Sequence, residues 1–467
     1  TVRGGVGIFS GGAPDVYVSN SFSNTGILTS MIDIRQLNNG TFAAAQGTIT
    51  QGQGAAILTN VNGAVIPSTA DQVLSNVQTV ANAPTNALDP NFKVPSQYRA
   101  TLSTSYDADL GPLGDNWLFG IDLLYSEVKN QVAFTDIRSV PTALRTPDGR
   151  VRYASVTTFN DTNTDILLTN TKKGRGFIAV ARFDKSWDFG LNIGGSYTRQ
   201  RIKDQAPATS STALSNYSNG AFLDANIAAF GTANDEVRNQ FKYYANFEKA
   251  FFGEYKTKIS LFGETRSGRP FSYTFQDAGN GRSPVFGVNG SLSRFLAYIP
   301  TGVSDPLVSY DTVANATAIN NFIDANGLKK FRGKIAPRNG FRSPSFTKVD
   351  LHIEQELPGF LRSRSKFSVF ADIENLGNLI NDKWGRLQQF GFPFTQQFAR
   401  VTCLQGAVPT GSVPGSVNPA GGNFASATTN TSQACAQYRF TNPTTPATTL
   451  TPSVSLYQIR VGARFTF

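Results

Sequence analysis

Residues 457–467 read Tyr-Gln-Ile-Arg-Val-Gly-Ala-Arg-Phe-Thr-Phe. Tyr457, Ile459, Val461, Ala463, Phe465 and Phe467 hold the odd positions; Gln458, Arg460, Gly462, Arg464 and Thr466 hold the even ones. Side chains on a strand alternate faces, so this pattern predicts a strand with one apolar and one polar face. The same period of two recurs along the chain. It predicts a strand over 1–9, with Val2, Val6 and Ile8 opposed to Arg3, Gly5 and Gly7, and a short strand over 16–22 after a Gly/Pro turn. Four hairpins follow. Tyr98 to Tyr106 pairs with Trp117 to Tyr125, and Phe177 to Phe183 with Phe189 to Tyr197. Phe241 to Phe247 pairs with Tyr255 to Leu261, and Val349 to Ile353 with Phe367 to Ile373. With the last strand, eleven are expected. Helical spacing is confined to two places: Val73, Leu74, Val77 and Val80 behind a Ser68 cap, and Ile319, Phe322 and Ile323 within 315–327, with Gly327 as a stop.

Short turns alternate with long polar connections, about 24–95, 134–173, 202–237, 276–345 and 403–452. Trp117, Trp187, Phe189, Phe251, Phe252, Tyr255 and Phe360 all sit at the short turns. Short periplasmic turns, long extracellular loops and aromatic girdles characterise outer-membrane barrels. The expected fold class is therefore all-β: a transmembrane antiparallel β-barrel, integral to a bacterial outer membrane, with the long loops extracellular. A soluble β-sandwich is the alternative, but it gives no reason for every long loop to lie at one end. The first and last strands are both expected to run towards the short-turn side. Bacterial single-chain barrels have even strand numbers, and open sheet edges are untenable in lipid. About as many strands again are therefore expected, upstream in the same polypeptide or in another chain. The absence of an initiator Met and of a signal peptide leads to the same expectation of a preceding region.

Composition fits this picture. Charged residues are only 16% and aromatics 12%, yet no run approaches the ~18 apolar residues of a membrane helix. The formal charge of +10 has no basic run or stacking motif beside it, so nucleic acid is not expected. Anionic outer-membrane lipid, including lipopolysaccharide, is the simpler partner. Cys403 and Cys435 share one Pro/Thr/Ala/Gly-rich stretch, which favours a disulfide formed in an oxidising compartment over two free thiols.

Alternation also selects candidate site residues. Asp350, Glu354 and Glu356 fall on the polar face of one strand, Asp372 and Glu374 on the next, and Arg460 and Arg464 on the last. Two readings stand. One is a charged inner wall that docks a plug or steers a solute; the other is a solvated lumen face with structural ion pairs across the ladder. His352, the single histidine, shares that face without a second His or Cys nearby, so no metal is expected. Asp277-Ala-Gly-Asn-Gly-Arg lacks the spaced acids of a calcium loop and reads as a turn. No Ser/His/Asp set exists, so neither catalysis nor a cofactor is expected.

Several stretches resemble the C-terminal half of TonB-dependent outer-membrane receptors, in particular the Oar-like branch. They are Arg3-Gly-Gly-Val-Gly-Ile-Phe9, Ser19-Asn-Ser-Phe-Ser-Asn-Thr-Gly26, Asp89-Pro-Asn-Phe-Lys-Val-Pro95 and Arg266-Ser-Gly-Arg-Pro-Phe-Ser-Tyr-Thr-Phe275. Tyr298-Ile-Pro300, Phe331-Arg-Gly-Lys334, Pro337-Arg-Asn-Gly340, Val349-Asp-Leu351 and Ile373-Glu-Asn-Leu376 complete the set. The resemblance implies a 22-stranded barrel of which this chain supplies strands twelve to twenty-two. It also implies an N-terminal plug and barrel half, and energy from TonB–ExbB–ExbD. The implied function is gated transport of a large or scarce substrate. A plug-free porin and a structural or adhesive surface barrel are the alternatives.

Overall fold

The computed structural model describes all residues except 13–14, 24–33, 37–41, 45–46, 60–63, 65–67, 69–82, 160, 206–207, 278–280, 291–292, 360–364, 407–425 and 467. Phe360, Phe467 and nearly all of the helix expected after Ser68 lie outside the described residues.

The period-two segments form one antiparallel meander of ten strands. They are β1 (Val2–Ser10), β2 (Ser96–Ala108), β3 (Trp117–Asp136), β4 (Gly174–Ser186), β5 (Leu191–Asp204), β6 (Asn239–Phe252), β7 (Tyr255–Arg266), β8 (Phe346–Pro358), β9 (Lys366–Glu374) and β10 (Gln458–Thr466). Each pairs with its predecessor, in the order β1 to β10. The chain is thus predominantly β, and among the described residues no helix is long and apolar enough to cross a membrane. Short turns join β2–β3, β4–β5, β6–β7 and β8–β9; every long connection leaves from the opposite end. The β4–β5 turn needs Gly190, at φ 102°, because a Cβ there would collide with the Glu248 carbonyl oxygen of β6.

Two expectations are corrected. The segment Val16–Ser23 is a helix, not a strand, so the count is ten rather than eleven. Its alternation is overridden by burial. Tyr17 is inserted edge-on against Phe134 with ring centroids 6.0 Å apart, and the Val18 and Ser19 amides both close on the Asp15 carbonyl. Consequently β1 starts at the short-turn side and runs away from it, opposite to the direction expected. Both ends of the meander, Val2 and Thr466, therefore lie on the short-turn side, as an even-numbered set of strands requires.

The long connections are also far more structured than expected. Pieces of two of them, β7–β8 and β9–β10, build a second sheet. Its order is Val308–Tyr310, Gln437–Thr441, Thr395–Leu404, Pro270–Asp277, Phe341–Arg342, with two parallel pairs. The helix Val313–Ala325 buries Ala316, Ile319, Phe322 and Ile323, capped by the Thr312 hydroxyl accepting from the Asn315 amide at 3.1 Å. Gly327 follows with φ 72°. The principal hydrophobic core of the chain lies in this loop module, around Phe275, Phe286, Tyr310, Phe398 and Phe440, with Tyr153 and Ala225 joining from two further connections. Cys403 and Cys435 are bonded to each other within it. The meander contributes no comparable core: Val2, Val6, Ile8, Ile459 and Val461 are all more than half exposed.

Candidate functional site

The register of the meander determines its two faces. Across one row, Thr104, Ile121, Ala181, Tyr197 and Phe241 follow one another from β2 to β6. Across another, Leu261, Leu351 and Ile373 lead to Ile459 on β10. One face of the sheet thus carries a mainly apolar surface from strand to strand, broken by cations at the loop end of β4 and β5. Most of its large side chains are exposed, from Phe119 at 36% to Val6 at 87%. Exposed apolar patches far above a few hundred Å² call for a non-aqueous or protein partner. At the short-turn end this surface finishes in clustered rings. Trp117 stacks on Phe119 at 6.1 Å and meets Trp187 edge-on at 5.8 Å, and Trp187 contacts Phe189 at 6.0 Å. Phe251 and Phe252 at the next turn are also exposed.

The opposite face is polar, and on β7 to β10 it carries the charged residues selected from alternation. They fall into two adjoining clusters of ion pairs, one around His352 and Lys258 and one on Lys348. Asp372 receives two hydrogen bonds from Arg460, at 2.7 and 2.9 Å, and lies 2.5 Å from His352 Nδ1. Glu354 stands 3.5 Å from Lys258, 3.5 Å from His352 Nε2 and 3.8 Å from Arg464. Glu356 pairs with Lys258 at 3.5 Å and Lys366 at 3.2 Å. Lys348 bridges Asp350 at 3.2 Å and Glu374 at 3.5 Å. Asp350 also accepts the Asn375 amide at 2.8 Å. The ring of Phe370 stacks on His352 at 6.0 Å and lies over Gly462, where a Cβ would collide with it. A shallow hollow of about 370 Å³ opens on this wall between Ser260, Phe262, Lys348, His352, Asp372 and Arg460.

Sequence reasoning missed Lys258, Lys348 and Lys366. Their signal was available: each occupies the polar parity of its strand, beside apolar Ile259, Val349 and Phe367. With them included, the five carboxylates face five Lys and Arg side chains plus one histidine. Opposite charges at this spacing cancel beyond about a Debye length, so the wall acts through local contacts and not through a long-range field. Arg460 and Arg464 are 70% and 62% exposed and remain open to a partner.

The loop module supplies rigidity at the other end. Arg150 is buried beside Asp148, with guanidinium contacts of 2.7 to 3.2 Å, and Tyr438 donates to the same carboxylate at 2.9 Å. Burial pushes the Asp148 carboxyl up, but the Arg150 charge and three hydrogen bonds outweigh it and hold the group below its ordinary range. Arg152 is pulled down to about 10 by burial; it donates to the carbonyls of Val285, Pro284 and Gln433 at 2.8, 3.0 and 2.5 Å. Asp277 is buried and receives the Ser283 hydroxyl. Among the described residues no group of three or more His, Cys, Asp or Glu could hold a metal ion. No protein-family model and no curated protein matches the chain.

Proposed function

We propose that this chain is the C-terminal part of the barrel of a TonB-dependent outer-membrane transporter, of the Oar-like branch its motifs resemble. The observation that carries this reading is the exposed, mainly apolar surface along one face of ten consecutive strands. Strands of 9 to 20 residues meet the ~9–11 that a tilted membrane strand needs. The ring cluster at the short turns fits a periplasmic girdle, and the polar face fits a lumen. Among the described residues nothing pairs with the outer edges of β1 and β10. Unpaired backbone in hydrocarbon costs several kcal/mol per group, so further strands, from the same polypeptide or another chain, complete the ring. Ten strands here correspond to the last ten of a 22-stranded ring, one fewer than the motifs alone implied.

In this mechanism the loop module captures a large or scarce solute at the extracellular end. An N-terminal plug seats against the charged wall through short-range pairs such as those open at Arg460 and Arg464. TonB, driven by ExbB–ExbD, remodels the plug and the solute passes. The test uses full-length protein extracted from outer membranes. It is expected to require detergent, to bind the periplasmic domain of TonB, and to show no resting conductance in planar bilayers. Stepwise resting conductance without TonB binding would replace this reading with a passive porin. Solubility without detergent would end the membrane reading altogether.

A further inference from the structure

The stretch Arg266-Ser-Gly-Arg-Pro270 ends β7 and opens the loop-module strand Pro270–Asp277. Gly268 fixes its course, because a Cβ there would collide with the carbonyl oxygens of Ser343 and Pro344. The segment therefore packs closely against the chain that enters β8, and both of its arginines line one cavity. That cavity encloses about 250 Å³ and is walled by Asn234, Glu236, Arg266, Arg269, Phe346 and Leu387, among others. Arg266 and Phe346 are directly opposite each other in register and share the polar parity of Lys258 on β7 and Lys348 on β8. The cavity thus lies at the loop end of the charged wall, where the loop module meets it.

Hydrogen-bond donors around this cavity outnumber the acceptors they meet. Arg266 makes no side-chain hydrogen bond among the described residues, and its Nε is buried without a partner for one. Its contacts are the Glu264 carboxylate at 3.4 Å and the Phe346 ring at 5.5 Å. Arg269 gives one nitrogen to Asp235 at 2.8 Å and lies over the Phe394 ring at 4.3 Å. Asn234 is buried; its oxygen accepts from Asn339 at 2.8 Å, while its amide nitrogen donates to nothing among the described residues. A guanidinium shielded from water needs acceptors to offset the desolvation of its N–H groups.

The carboxylates nearby do not fill that need. Glu236 accepts the Ile202 amide at 2.6 Å and an Arg342 nitrogen, and stands 3.7 Å from Arg238. Glu264 lies opposite Lys242 on one side and Lys348 on the other. Asp235 is 83% exposed, and so exposed an ion pair holds weakly, so a solute can replace it on Arg269. Arg238, Arg266, Arg269 and Arg342 stand against Asp235, Glu236 and Glu264, a surplus of one positive charge.

The geometry points to a binding site for a small organic carboxylate in this cavity, which as a substrate class rests on the transport reading above. The carboxylate takes the free nitrogens of Arg266, Arg269 and Asn234, and the apolar body of the solute lies against Phe346 and Leu387. Guanidinium forks match a planar carboxylate. The single surplus charge balances a monoanion and leaves a phosphate dianion uncompensated.

The test uses full-length protein in non-ionic detergent and isothermal titration with N-acetylleucine, N-acetylleucinamide and inorganic phosphate. Wild type is compared with the variant Arg266→Gln/Arg269→Gln and the control Lys249→Gln; Lys249 is exposed near the short-turn end of β6. Wild type and the control are expected to bind N-acetylleucine saturably. The double variant should bind it about 100-fold more weakly, at about tenfold per arginine, and wild type should bind the amide at least about tenfold more weakly than the acid. The comparison of acid with amide needs no variant, so it stands even where the double variant fails to fold. Equal binding by wild type and a folded double variant, no binding by wild type, equal binding of acid and amide, or displacement of N-acetylleucine by equimolar phosphate each overturns the site. A wild type that fails these tests but needs detergent and binds TonB leaves the transporter reading standing. One that passes them and binds no TonB keeps the site and removes the transporter reading.

Discussion

Replacing Leu123 with arginine tests the orientation of the sheet most directly. Leu123 lies on the apolar face of β3, opposite Leu102 and Ala179. It stands six residues beyond Trp117, or about 14 Å above the short-turn rim at ~3.3 Å per residue and ~45° tilt. That is close to the middle of a ~25 Å band, where arginine costs about 2–4 kcal/mol. Tyr106 is on the same face but only two residues from the end of β2, and it is 68% exposed. Near an interface the same substitution costs about 0–1 kcal/mol. Leu123→Arg is therefore expected to destabilise the full-length protein by about 1–4 kcal/mol beyond Tyr106→Arg, at least about a fivefold shift in the folding equilibrium. Equilibrium urea unfolding from lipid vesicles measures it, followed by the fluorescence of the packed Trp117 and Trp187. On a water-facing surface, substitutions stay within about 0.5 kcal/mol of neutral. Equal costs at the two positions would refute the assignment of this face to lipid.

Three further outcomes follow from the charged wall and the loop module. Cys403 and Cys435 close a loop with a sequence separation of 32, for which chain entropy gives about 3.7 kcal/mol at 25 °C. Replacing both with serine should lower the unfolding free energy of the loop module by up to that amount, read from hydrogen exchange of amides in Thr395–Leu404; unchanged protection would contradict it. Because the folded Asp148 carboxyl titrates below its ordinary value of 3.8, its stabilisation is present above that value and is lost as pH falls through the lower folded one. Asp148→Asn should flatten that acid loss of module stability, and an unaltered acid limb would show that Asp148 does not cause it. In the Asp372–Arg460 pair the arginine is 70% exposed and keeps its hydration, so a double-mutant cycle with Asp372→Asn and Arg460→Gln should give a coupling of about 0.2–1 kcal/mol. A coupling well above that range would mean that the wall is closed off from water.

The ten strands were legible because their signal is local. Alternation on β10 needs no partner to be read, and the register places Ile459 beside Ile373 and Arg460 beside Asp372 as parity requires. The charged wall was legible for the same reason, and its cations were overlooked because Lys258, Lys348 and Lys366 sit singly in their strands, each between a Thr or Ser and an apolar residue. Val16–Ser23 failed because its conformation is decided by Phe134, more than a hundred residues away. The loop module failed on a larger scale. Phe275, Phe398 and Phe440 belong to segments that look like isolated polar-flanked runs, and only their meeting makes a core. The helix Val313–Ala325 was the exception, since its cap, apolar stripe and terminal glycine all lie within one window.

The shared core of the loops also dictates an order of assembly. Arg152 bonds to the Gln433 carbonyl 281 residues away, and Tyr438 to Asp148 at a separation of 290. Contacts of such high sequence separation form late and slowly. The segments that complete the core, Thr395–Leu404 and Gln437–Thr441, are threaded between β9 and β10. The first nine strands can therefore pair while their loops still lack partners, and the core of the loop module can close only when the final strand is also ready to dock. A chain halted before residue 395 would expose Phe275, Phe286 and Tyr310 to solvent, which makes that truncated state a ready target for proteases.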